Sequence, residues 1–202
     1  MMDPRWMNKK ALDYLDEYEK SQVQLAAIPV TAPDRISWQP PPPSVYKLNF
    51  DVAIFSNLNC FGFGAIIRNE ESKVMVRMSV KCTLVHNSAK ADSLACRRAV
   101  EFSIEVGFSR LVIEGDNTLV LNAISCSVKN NSLLGHIFED IQNLVCGLQY
   151  ASISCIKRSG NMVAHSLARH ARNISDEMYW TEDSPLPAVD VLNQDFFILM
   201  SE

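Results

Sequence analysis

From Val45 onward, apolar and polar residues change places at every step: Tyr46, Leu48, Phe50 and Val52 alternate with Lys47, Asn49, Asp51 and Ala53. A period of two is that of a strand. Apolar runs at residues 61–68 and 74–84 follow, separated by the polar stretch 69–73. Separators this short join antiparallel neighbours, so the first three strands are expected to form a meander. Past residue 87 the period becomes helical, with Ala91, Leu94, Ala95, Ala99, Phe102 and Val106 on one face and Gly107 placed to end the helix. A buried strand at 111–113, a short helix at 117–125, a helix marked by Leu134, Ile137, Phe138, Ile141 and Val145, a strand at 151–157 and a helix at 161–172 complete the order. This order predicts an α/β fold: a mixed five-stranded sheet, three antiparallel strands followed by parallel ones, with helices on both faces.

The ends differ in texture. Residues 8–27 have weak helical periodicity that Pro29 and Pro33 stop, so 1–37 reads as an extension. The run Trp38-Gln-Pro-Pro-Pro-Pro favours an extended polyproline strut, and 38–44 reads as a linker to a domain at 45–175. Residues 176–202 read as an acidic tail expected to wrap the domain or stay mobile, with Phe196, Phe197 and Leu199 as docking residues.

With 202 residues and 48% hydrophobic content, the chain can build one ordinary core. No stretch approaches the roughly 20 apolar residues of a membrane span, and MMDPRWMNKK lacks the apolar run of a secretory signal. A soluble, intracellular monomer is the expectation. Cysteines 60, 82, 96, 126, 146 and 155 show no metal-binding spacing and read as reduced. The Asn-x-Ser triplets at Asn130 and Asn173 read as chance matches. A net charge of −4 argues against a protein that coats nucleic acid nonspecifically. It leaves room for a local basic surface, since Lys81, Lys90, Arg97, Arg98, Lys157, Arg158, Arg169, His170 and Arg172 flank the segments that carry candidate chemistry.

Those segments carry three aspartates. Asp51 lies in a strand expected to be central, Asp116 ends the fourth strand at the turn into a helix, and Asp92 sits near the start of the long helix. The three can converge only if the strands pair as proposed; if they converge, their mutual repulsion favours a divalent cation, and oxygen-only ligation suits Mg²⁺ or Mn²⁺. Each has a plainer reading: Asp116 as a helix cap, Asp92 as a favourable first-turn charge, Asp51 as a partner of Lys47 or Arg68. Arg158 and Asn161 flank the last strand-to-helix turn, where Asn161 either caps the helix or, like Arg158, contacts phosphate or ribose. Gly62-Phe-Gly64 lacks the Gly-Lys-Ser/Thr of a phosphate loop and reads as a closely packed strand; His86 and His136 read as loop and helix-surface residues.

The strings Trp38-Gln-Pro-Pro-Pro-Pro, Lys47-Leu-Asn-Phe-Asp51, Gly62-Phe-Gly64-Ala-Ile-Ile-Arg68, Ala91-Asp-Ser-Leu-Ala-Cys-Arg-Arg-Ala99, Ile113-Glu-Gly-Asp116 and Arg158-Ser-Gly-Asn161-Met-Val-Ala-His165, in this order and spacing, resemble plant ribonuclease H-like domains related to non-LTR retrotransposon reverse transcriptases. The resemblance spans about residues 38–180 and implies a type 1 ribonuclease H fold acting on RNA/DNA hybrids. In active members two Mg²⁺ ions held by four acidic residues cut the RNA strand. By position Asp51, Asp92 and Asp116 match the first three acids, and His165 stands at the fourth. The second position is usually Glu, and Asp92 is one methylene shorter, by about 1 to 1.5 Å. A misplacement on that scale lowers catalysis about a hundredfold. Val52 stands where the family usually has glycine, narrowing the approach to Asp51. A metal-dependent hybrid ribonuclease, a noncatalytic nucleic-acid-binding module and an inactive retroelement remnant are the three functional readings that follow.

Overall fold

The computed structural model describes residues 37–83, 87–125, 134–181 and 186–201. The expected helix at 8–27, His86, Cys126 and Asn130 lie outside them. Strands β1 (Tyr46–Phe55), β2 (Cys60–Arg68) and β3 (Val74–Thr83) form the antiparallel meander, with Asp51 opposite Gly64. Next come α1 (Ser88–Glu105), β4 (Arg110–Gly115), α2 (Thr118–Ser125), α3 (Gly135–Cys146), β5 (Tyr150–Cys155) and α4 (Met162–His170). β4 pairs parallel to both β1 and β5, as strands joined through helices should.

The sheet has six strands, in the order β5-β4-β1-β2-β3-β6, rather than the five expected. The sixth, β6 (Glu177–Trp180), pairs antiparallel with β3, and α5 (Leu186–Ser201) follows it. The segment read as an acidic tail therefore adds an edge strand and a helix. Four residues are too short to show a period of two, and their acidic neighbours masked them. Of the docking residues expected, Phe197 is 73% exposed and Leu199 is half-buried beside Trp38 and Arg68, the Phe196 side chain lies outside those described, and the buried anchor of this helix is Asp195.

One sheet face is apolar. Leu48, Phe50, Phe63, Ala65, Ile67, Met78, Leu111 and Ile113 pack against Ala91, Ala95, Ala99 and Phe102 of α1 and against α2 and α3. Asn87 caps α1 by accepting from Lys90 N at 3.2 Å. Gly107, at φ +91°, ends it, with Phe108 N donating to Ser103 O at 2.8 Å. Val106, expected on the buried face, lies beyond the last turn and is exposed.

On the other face the polar alternates of β1 are buried too, so the period-two pattern separates an apolar core from an internal polar network. Glu114 accepts from Lys47 Nζ at 3.2 Å and from Asn49 Nδ2 at 2.9 Å. Trp38 Nε1 donates to Asn49 Oδ1 at 2.8 Å, and the Arg68 guanidinium lies 3.5 Å from the Trp38 ring centroid. Arg68 also bonds Asp195 Oδ2 at 2.7 Å, clasping α5 to the sheet. The head of the proline run is thus packed into the protein, with Trp38 1% exposed. Nearby, α4 lies directly on β2: a Cβ at Gly62 would meet Ala168 O at 2.4 Å, and one at Gly64 would meet Ala168 N at 2.4 Å and Ala164 O at 2.5 Å. The two glycines are the closely packed strand expected, and they let the helix backbone approach. Among the described residues no helix is long and apolar enough to cross a membrane, and cysteines 60, 82, 96, 146 and 155 are free thiols.

Candidate active site

The parallel β1/β4 register sets Asn49 beside Glu114, so two residues further along each strand Asp51 and Asp116 emerge at the same end of the sheet. Ligands collect at the carboxyl ends of such strands. Asp92, in the second turn of α1, reaches the same place from the side. Asn117 Nδ2 donates to its Oδ2 at 2.7 Å. The three carboxylates, with Val52, Ile54, Leu119 and Arg158, border one open cavity of about 460 Å³.

The plainer readings of these residues do not hold. Asn117, not Asp116, caps α2: its Oδ1 accepts from Leu119 N at 3.2 Å and Val120 N at 3.3 Å, which leaves the Asp116 carboxylate facing the cavity. Lys47 and Arg68 pair with Glu114 and Asp195, so neither serves Asp51. The partner of Asp51 is His165, whose Nδ1 lies 2.6 Å from Oδ2. Arg158 Nη2 sits 2.9 Å from the same ring nitrogen, while its Nη1 is 3.9 Å from Asp116 Oδ2. A proton on Nδ1 donates to Asp51, so the imidazole and the Arg158 guanidinium together span the gap between Asp51 and Asp116.

Charge is costly in this half-enclosed place. Burial pushes Asp92 up to about 6, the Asn117 hydrogen bond opposes the shift, and the charges of Asp51 and Asp116 add to it. Burial and Asp51 raise Asp116, while Arg158 and His165 pull it back. Crowded carboxylates whose ionisation is penalised in this way suit a hard divalent cation, and the all-oxygen donor set suits Mg²⁺ or Mn²⁺. As they stand, no three His, Cys, Asp or Glu side chains among the described residues are gathered tightly enough to hold an ion.

Asn161 departs from the nucleic-acid contact expected of it. Its side chain is 1% exposed and donates from Nδ2 to Phe50 O at 2.9 Å, so it faces β1 rather than an incoming phosphate. It makes no side-chain cap either; it ties the start of α4 to the strand that carries Asp51. Arg158 does face the cavity, with a largely exposed side chain. His136 is exposed on α3, as expected. The roles of Asn117 and of the apolar rim, Ile54 and the 79% exposed Leu119, are absent from the sequence reading. An Asn directly before a helix start was the available signal for the first. An exposed Leu has none.

A mixed sheet of this order, with one carboxylate inside its central strand and another just past the end of the parallel neighbour, defines a ribonuclease H-like fold. The chain belongs to the reverse transcriptase-like family, whose model matches residues 49–171. Solved structures agree on the fold. RNase H1 from Halobacterium salinarum NRC-1 is 21% identical, with a TM-score of 0.58, covering 64% of this chain and 98% of its own. LC11-RNase H1, isolated from compost by a metagenomic approach and solved in complex with an RNA/DNA hybrid, is 19% identical with a TM-score of 0.55, covering 63% and 96%. The foamy viral protease-reverse transcriptase, also solved with an RNA/DNA hybrid, is 15% identical with a TM-score of 0.51; the match covers 71% of this chain and 22% of that one. Among curated proteins none matches.

Proposed function

We propose that this protein is a divalent-metal-dependent endoribonuclease that cuts the RNA strand of RNA/DNA hybrids. The observation that carries the reading is that Asp51 and Asp116, from adjacent parallel strands, open into one cavity with Asp92. It is supported by the family and by the relatives solved with hybrids bound. Membership of the reverse transcriptase-like family also favours descent from a retroelement.

Asp51, Asp92 and Asp116 are the residues to hold the cation, Mg²⁺ or Mn²⁺. When bound, two such ions lower the pKa of an attacking water and stabilise the leaving oxygen. His165, oriented by Asp51, is placed to take or return a proton at an imidazole nitrogen. Arg158, between His165 and Asp116, is placed to meet the scissile phosphate as a charge-assisted donor. One feature favours a second reading, a noncatalytic hybrid-binding module: His165 and Arg158 already occupy Asp51 and Asp116 as partners.

Labelled RNA/DNA hybrid incubated with the purified protein and Mg²⁺ or Mn²⁺ separates the two. Cleavage of the RNA strand that vanishes in Asp51→Asn supports the nuclease. Hybrid retained intact by the wild-type protein supports the module.

A further inference from the structure

A second cavity, of about 730 Å³, lies on the other side of His165 and is bordered by α4 and the turn after it, with Phe55 and Val191 in its walls. Along this edge His165 and Arg169 lie one turn apart on α4 and Arg172 follows in the 3₁₀ turn Ala171–Asn173, all three bordering the same cavity. His165 belongs to both places: it borders this cavity and bonds Asp51 in the other.

The two arginines are distinguished by what they lack. The two arginines of α1 are paired within the fold, Arg97 with Glu101 and Asp140, Arg98 with Glu105 and Glu177. Arg169 and Arg172 are exposed and, among the described residues, make no ion pair or side-chain hydrogen bond. In a chain of net charge −4, next to a carboxylate cavity that repels phosphate, they form a local anion-attracting edge.

We propose that this edge of α4 is a rail for a nucleic-acid backbone, on which Arg169 and Arg172 hold phosphates of one strand as it runs away from Asp51. Seven residues from His165 to Arg172 span about 10 Å of helix. One strand of a duplex carries a phosphate about every 3.4 Å along its axis, so the rail matches about three nucleotides. The rail rests on the hybrid-binding reading above, and its contacts are with phosphates rather than bases, so it adds affinity without sequence preference.

The test is equilibrium binding of a fluorescent RNA/DNA hybrid to the full chain across a salt series, with a chelator present to prevent cleavage. Arg169→Ala/Arg172→Ala is expected to lower the slope of log affinity against log salt by about 1.8, two contacts at about 0.9 each. Uncharged methylphosphonates about three nucleotides from the cleavage position should weaken wild-type binding and leave the double variant unaffected. An unchanged slope and affinity in a folded double variant overturns the rail, and the nuclease reading stands if the wild-type protein still cleaves. A reduced slope in a protein that never cleaves supports the rail and removes the nuclease. Failure of the wild-type protein to bind any hybrid overturns both.

Discussion

Nδ1 of His165 lies 2.6 Å from Oδ2 of Asp51, across 114 residues of sequence. The contact fixes the His165 imidazole against a buried carboxylate. If the site is a nuclease, His165→Gln is expected to lower single-turnover cleavage by about 10² to 10⁴-fold, the usual worth of a positioned acid or base. Hybrid affinity in chelator should change little. An equal loss of binding and cleavage would assign the residue to substrate grip alone.

That contact depends on α4 lying flat on β2. Gly64→Ala would put a methyl group 2.4 Å from Ala168 N and 2.5 Å from Ala164 O, and neither backbone atom can move without the helix. The expected cost is about 1 to 3 kcal/mol in urea unfolding, with cleavage falling further than stability explains as His165 retreats from Asp51. Wild-type stability and activity in Gly64→Ala would contradict the close approach.

Asp92 sets a pH dependence of stability. Its folded pKa is raised from 3.8 to about 6, so it is the neutral form that the fold favours, and ionisation is penalised. The contribution is present below about pH 4 and is lost as pH rises through about 6. Asp92→Asn should therefore match wild type in acid and exceed it above pH 7 by at most about 3 kcal/mol, two units at about 1.36 kcal/mol each. Partial solvation reduces this figure. Urea unfolding in chelator reads it, and a gap that widens toward acid would reverse the sign.

Arg68 and Asp195 meet at 2.7 Å with side chains 2% and 10% exposed. Burial holds the Arg68 guanidinium down at about 10, and the Asp195 carboxylate opposes that shift. Removing one member of a buried pair strands the other, so Asp195→Ala is expected to cost about 3 to 5 kcal/mol, visible as a lower melting temperature. A change within about 0.5 kcal/mol would mean that α5 is not clasped to the sheet in solution.

Much of this was legible in residue order. The meander, the parallel β1/β4 pair and α1 follow from periodicity, and the carboxylates that open into one cavity are those the sequence singled out. What stayed hidden has a physical reason. Alternation showed Lys47, Asn49 and Asp51 as polar, but polarity does not report exposure, and the partners that bury them, Trp38, Glu114 and His165, lie elsewhere in the sequence. Asn161 looked like a phosphate ligand because it sits in a strand-to-helix turn; its inward orientation is a rotamer that spacing cannot reveal. β6 is four residues long and gains its pairing from β3, a nonlocal partner.

The claim beneath the whole functional reading is that Asp51, Asp92 and Asp116 share a divalent cation, and a crystal soaked in Mn²⁺ with anomalous diffraction measured tests it most directly. An anomalous peak within about 2.0 to 2.3 Å of Asp51 and at least one of the other two carboxylates is predicted. A saturated soak that leaves the cavity without a peak, Arg158 and His165 still spanning the acids, would contradict it.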